Sequence, residues 1–172
     1  MGNTELPLPV LTGQSGHFLV GHLITLLPAV ILLHGMGRGD LRAESVASRP
    51  VHTWDAVLGA GVATTAAVVA SLCYALGADN IALVLGRNIA GYIGLALLLL
   101  PLLGHRATAV TVAFVPLLCA AAGWSGDGHP APWAWILYPA DSLVAPLITA
   151  ILVLAGVLLC LARLPFSSRT AP

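Results

Sequence analysis

Four polar side chains fall where the sequence is otherwise apolar, and each could do chemistry there. Arg87 and Asn88 stand inside IALVLGRNIAGYIGLALLLLPLL, residues 81–103. A guanidinium offers five N–H donors to carbonyls, carboxylates or phosphates. At the bilayer centre an arginine costs at least ~2.5–3.5 kcal/mol on insertion scales, so it must either snorkel or find partners. His22, in GHFLVGHLITLLPAV, is the one histidine well inside an apolar run and is a proton-relay candidate. Asp141 opens the last apolar run and is the candidate partner for Arg87 from another helix. Two readings of Arg87 and Asn88 follow. In one they mark the membrane interface, with the span beginning near residue 88. In the other they line a polar route or lock the bundle through an Arg87–Asp141 pair.

Other constellations fail on spacing. GQSG (13–16) and GWSG (123–126) resemble the G-x-S-G of intramembrane serine proteases. A serine nucleophile needs a base within hydrogen-bond reach, yet the last apolar run holds no histidine and Ser15 precedes every apolar run. His17 and His22 are five residues apart, about 140° around a helix, and no H-E-x-x-H occurs, so no metal site is assigned. The acids Glu5, Asp40, Glu44, Asp55, Asp79, Asp127 and Asp141 all lie near the ends of apolar runs. That distribution argues against an ion pump built on paired buried carboxylates. All seven cations are arginine. Without a lysine there is no P-loop amine and no Schiff base, so any ATP that powers this protein must bind another chain. Cys73, Cys119 and Cys160 are far apart in sequence and read as small packing residues. The chain reads as non-enzymatic, with neither cofactor nor metal.

The elements that position these residues follow from composition. The 172 residues are 58% hydrophobic and only 8% charged, against about 25% charged in a soluble domain, and the mean hydropathy is +0.94. So little charge cannot cover a water-facing surface. The formal net charge is zero, which leaves no basic footprint for nucleic acid. The chain therefore reads as a single all-α membrane domain whose first partner is the bilayer.

Five spans are predicted, at about 17–34, 54–76, 81–103, 107–124 and 141–163, each within the roughly 17–25 residues that cross the hydrocarbon. Pro28, Pro101, Pro116 and Pro146 lie within them and predict kinks. Arg38, Arg42 and Arg49 fall in the polar loop 35–53, Arg106 follows the third span, and Arg163 and Arg169 follow the fifth. The positive-inside rule then puts the N-terminus outside and the C-terminus in the cytoplasm. Trp124, Trp133, Trp135 and Tyr138 cluster in the outer loop 125–140 and its flank, which reads as a short interfacial or re-entrant piece.

Helix packing is also legible. Gly59, Ala63, Ala67 and Ser71 recur every four residues, and Gly91 and Gly94, with Gly86, give the third span a similar small face. Such faces let helix backbones approach closely in lipid. They specify a bundle and would also serve a homo-oligomer.

The segment GRNIAGYIGLALLLLPLLGHRATAVTVAFVPLL, followed by PWAWILYPADS and a final span ending at Arg163, resembles the membrane subunits of bacterial ABC transporters of the exporter type. The likeness covers roughly residues 54–163 and rests on layout and a loose R-N-x-x-G-x-x-G-L pattern. It implies a permease-like subunit in the bacterial inner membrane, moving a solute with ATP hydrolysed by a separate subunit that would contact loop 35–53. The alternative is a non-transporting accessory or sensor protein acting through helix–helix contacts.

Overall fold

The computed structural model describes residues 5–9, 15–19, 24–37, 51–125 and 128–162. Its packed body is helical, as the composition requires. Outside that body, β1 (Glu5–Pro9) and β2 (Ser15–Leu19) form a small antiparallel ribbon with Leu6 opposite Phe18 and Pro7 opposite His17. The helices are α1 (Leu27–Met36), α2 (Val51–Ala75), α3 (Ile81–Ala122) and α4 (Val144–Ala162), with a 3-10 turn at Trp135–Leu137 between the last two. Three of them, Thr53–Ala75 within α2, α3 and α4, are long and apolar enough to cross a membrane.

The first expected span, 17–34, is corrected. His17 belongs to β2, and α1 has only ten residues, about 15 Å of helix against a hydrocarbon core of ~30 Å. Pro28 stands in the first turn of α1, where its missing N–H is no loss and its fixed φ suits a helix start. Upstream, Gly13, Gly16 and Gly21 give helix little support. The candidate His22 lies outside the described residues, as does most of loop 35–53.

Helix α3 is 42 residues long; straight, it would measure about 63 Å, roughly twice the hydrocarbon thickness. It is two arms, 81–103 and 105–122, joined at Gly104, whose φ of 75° and ψ of 170° break the helix. The positive φ is costly for any residue with a Cβ, and Pro101 weakens the preceding turn by removing a hydrogen bond. The arms fold back on each other. Tyr92 of the first arm shares one core cluster with Val112 and Cys119 of the second, whereas a straight helix would separate Tyr92 from Cys119 by about 40 Å.

The first arm of α3 is the axis of the bundle. Ala90, Gly91, Tyr92, Ile93, Gly94, Ala96 and Leu97 are all buried, with α1, α2, α4, the second arm and the 3-10 turn around them. Helix α2 runs antiparallel to this arm. A Cβ built at Gly59 would stand 2.7 Å from Leu97 Cδ1, and one at Gly86 would collide with Ala70 Cβ. The seam on α2 is Ala56, Gly59, Ala63 and Ala70, with Ala66 beside it. A four-residue repeat advances about 40° per step on a 3.6-residue helix, so the expected Gly59–Ala63–Ala67–Ser71 stripe winds out of the seam. Gly59 and Ala63 pack, whereas Ala67 and Ser71 are exposed.

Candidate functional site

The aromatic segment after α3 does not lie flat on the bundle. Ala131 N donates to Gly123 O at 2.8 Å, and Trp124 bridges to Pro130. This turns the chain back so that Ala134, Trp135 and Ile136 are buried against the helices, while Trp133 stays exposed. Trp135 fits because residue 91 is glycine: a Cβ there would meet the indole Nε1. The Tyr92 and Trp135 rings meet edge to face, with centroids 6.0 Å apart and planes at 65°.

Arg87 lies one helical turn before Gly91, beneath this segment. Its Nη1 donates to Pro139 O at 3.1 Å and its Nη2 to Tyr138 O at 2.6 Å. The guanidinium thus clamps two backbone carbonyls just beyond the 3-10 turn. Asp141 is exposed, and among the described residues Arg87 bonds to carbonyls in place of the expected carboxylate partner. Charged hydrogen bonds of this kind contribute roughly 1.5–3 kcal/mol each, enough to offset much of the cost of placing the cation here. Asn88 is fully buried in the core, at 0% exposure.

A lateral groove opens beside Arg87, between α2, the first arm of α3 and α4. Its volume is about 600 Å³, within the range of small-molecule sites. Ala63, Ala67 and Ala70 form one wall, Ala90 part of the floor, and Ala150 and Leu154 the other wall. The small side chains on these walls therefore leave space unfilled between α2 and α4 at this level, with α3 as the floor. Thr149, only 6% exposed, lines the groove, and its Oγ1 has no hydrogen-bond partner among the described residues. Thr64 and Ser71, also in the lining, instead donate to the carbonyls of Ala60 and Ala67 at 2.7 and 2.8 Å.

Gly94 packs against the backbone of α4 at Leu152 and Val153. The matching residue on α4, Gly156, was not singled out in the sequence. It belongs to a buried face of Ala145, Thr149, Gly156 and Cys160, whose spacing of four, seven and four marks one side of a helix. Cys160 Sγ donates to Leu97 O at 3.3 Å, which closes that face. None of Cys73, Cys119 and Cys160 is in a disulfide. Among the described residues, no group of His, Cys, Asp or Glu is placed to hold a metal ion.

No protein-family model, curated protein or solved structure matches this chain.

Proposed function

We propose that this chain is the permease-like subunit of an ABC-type transporter in a bacterial inner membrane, with ATP hydrolysed on a separate chain. The lateral groove supports this reading: it is a ligand-sized, mostly apolar space beside one membrane-level cation. A solute entering from the bilayer would be received between α2 and α4. The absence of lysine, and so of a P-loop amine, fits an energy source on another chain.

In this reading the membrane is crossed four times, by α2, the two arms of α3, and α4, with α1 reaching part of the way. Gly37, at the end of α1, packs against His105 beside the α3 turn. Arg106 follows, and Arg38, Arg42, Arg49 and Arg163 flank the helix ends at that side in sequence. The positive-inside rule makes this the cytoplasmic side and puts Arg87 with the aromatic segment near the outer headgroups.

The accessory or sensor reading has one observation in its favour. The centre of the bundle is closed by backbone contact between Gly94 and Gly156, a packing suited to a scaffold. Purification of the tagged protein from its host in mild detergent, with mass spectrometry of co-purifying chains, separates the two. A stoichiometric P-loop ATPase supports the transporter subunit. Recovery of the chain alone would sink that reading and leave the accessory one.

A further inference from the structure

We propose that the groove between α2, α3 and α4 binds one acyl chain of an anionic phospholipid, with the lipid phosphate on Arg87. The proposal deepens the groove-based reading above by naming the class of ligand, and it does not depend on an ATPase partner.

Three observations converge on this occupant. The first is charge. Arg87 spends two of its five donors on the Tyr138 and Pro139 carbonyls; each Nη keeps a second N–H, while Nε is buried and has no partner among the described residues. Carbonyls are neutral, so the positive charge itself remains uncompensated by any hydrogen-bonded carboxylate there. Guanidinium suits phosphate because its planar fork donates two parallel hydrogen bonds.

The second is the shape and chemistry of the space that runs from this cation. Apart from Thr64, Ser71 and Thr149, its lining is apolar, and it is walled mainly by alanine. A cation beside a narrow apolar slot is complementary to a molecule with an anionic head and a hydrocarbon tail. A soluble anion would leave the slot empty, and a neutral apolar guest would leave the cation unanswered. The third is Thr149. It lines the groove, and its buried hydroxyl, like that of Thr108 in the second arm of α3, has no partner among the described residues, whereas the exposed Thr64, Ser71 and Thr111 satisfy theirs on the carbonyl four residues back. A buried polar atom left unpaired costs free energy, and a glycerol ester oxygen beside the phosphate would accept from it.

The depth agrees. Arg87 is tied to the segment carrying Trp133, Trp135 and Tyr138, and aromatic residues of this kind gather at headgroup level. The acyl chain would run from there along Ala67, Ala90 and Ala150.

The test is native mass spectrometry of the full chain, exchanged in mild detergent against phosphatidylglycerol or phosphatidylcholine. Wild type should retain one phosphatidylglycerol per chain, with a preference over phosphatidylcholine of at least about tenfold. Ala67→Leu and Ala150→Leu place bulk at exposed groove positions on two different helices; either should abolish retention without lowering the melting temperature. Arg87→Lys should keep binding but weaken the preference for the anionic lipid. Equal retention of both lipids, or retention unchanged in the two leucine variants, would overturn the proposal. So would cross-linking that places a second copy of the chain in the groove. None of these outcomes alters whether an ATPase co-purifies, so this inference and the transporter reading fail separately.

Discussion

Gly94 and Gly156 bring α3 and α4 into direct backbone contact. A Cβ built at Gly156 would stand 2.7 Å from Gly94 O and 2.9 Å from Leu97 Cβ, and one built at Gly94 would stand 2.6 Å from Val153 N. Close approach of this kind is how helices gain packing energy in lipid, where no hydrophobic drive pulls them together. It also sets the spacing of the groove, since α4 supplies its far wall.

Replacement of either glycine should therefore force the helices apart. Gly156→Ala should destabilise the bundle by roughly 1–3 kcal/mol, the usual cost of overpacking, because the new methyl meets backbone that cannot rotate away. Gly61→Ala is the control: a Cβ at that position meets nothing within 4 Å. Thermal unfolding in detergent, followed by size-exclusion recovery, should show a lower midpoint for Gly156→Ala and none for Gly61→Ala.

Arg87 ties the chain after the 3-10 turn to the axis helix, so its removal should loosen that segment more than the bundle. Arg87→Gln loses the charge and the fork that reaches both carbonyls; Arg87→Lys keeps a charge but offers a compact ammonium on a flexible stem. Folded yield should fall for glutamine and recover partly for lysine. Limited proteolysis around residues 128–140 should accelerate in the same order, glutamine above lysine above wild type. Equal cleavage in all three would show that the carbonyl contacts do not hold the segment.

The apolar helices, and an arginine placed inside one of them, were legible in the sequence, because long runs without charge admit few alternatives. The partners of that arginine were not. Arg87 bonds to the backbone of Tyr138 and Pro139, and carbonyls carry no side-chain signal, whereas the carboxylate of Asp141, two residues further on, does. On α2, spacing by fours drifts around a helix, while the buried seam alternates threes and fours, so Gly59 and Ala63 lie in the seam and Ala67 and Ser71 outside it. The ten-residue length of α1 was missed because an apolar run was given more weight than the proline and glycines that shorten it. Gly156 could have been found from the small residues at 145, 149, 156 and 160.

The reversal in α3 depends on a single residue. Gly104 adopts φ 75° and ψ 170°, a region that is essentially glycine-only and strains a residue with a Cβ by roughly 1–3 kcal/mol. A Cβ there would meet nothing within 4 Å, so Gly104→Ala isolates backbone conformation from packing. Its unfolding midpoint should drop, while Gly35→Ala, at an uncrowded helical glycine, should be neutral or slightly stabilising. An unchanged midpoint for Gly104→Ala would mean that the arms turn by another route.

The three cysteines offer a test of the packing that needs no mutation. Cys73 is exposed near the end of α2, whereas Cys119 and Cys160 are buried. Cys119, in the second arm of α3, shares the core cluster with Tyr92 on the first, and Cys160 Sγ is held at Leu97 O. Thiol reactivity requires access as well as a thiolate, so a small membrane-permeant maleimide should add once per chain under native conditions. Intact-mass analysis should show that single adduct, lost in Cys73→Ser, and three adducts only after denaturation. Because Cys119 belongs to the second arm of α3 and Cys160 to α4, the pattern separates two failures. Early labelling of Cys119 alone would open the α3 hairpin, and early labelling of Cys160 alone would detach α4 from Leu97.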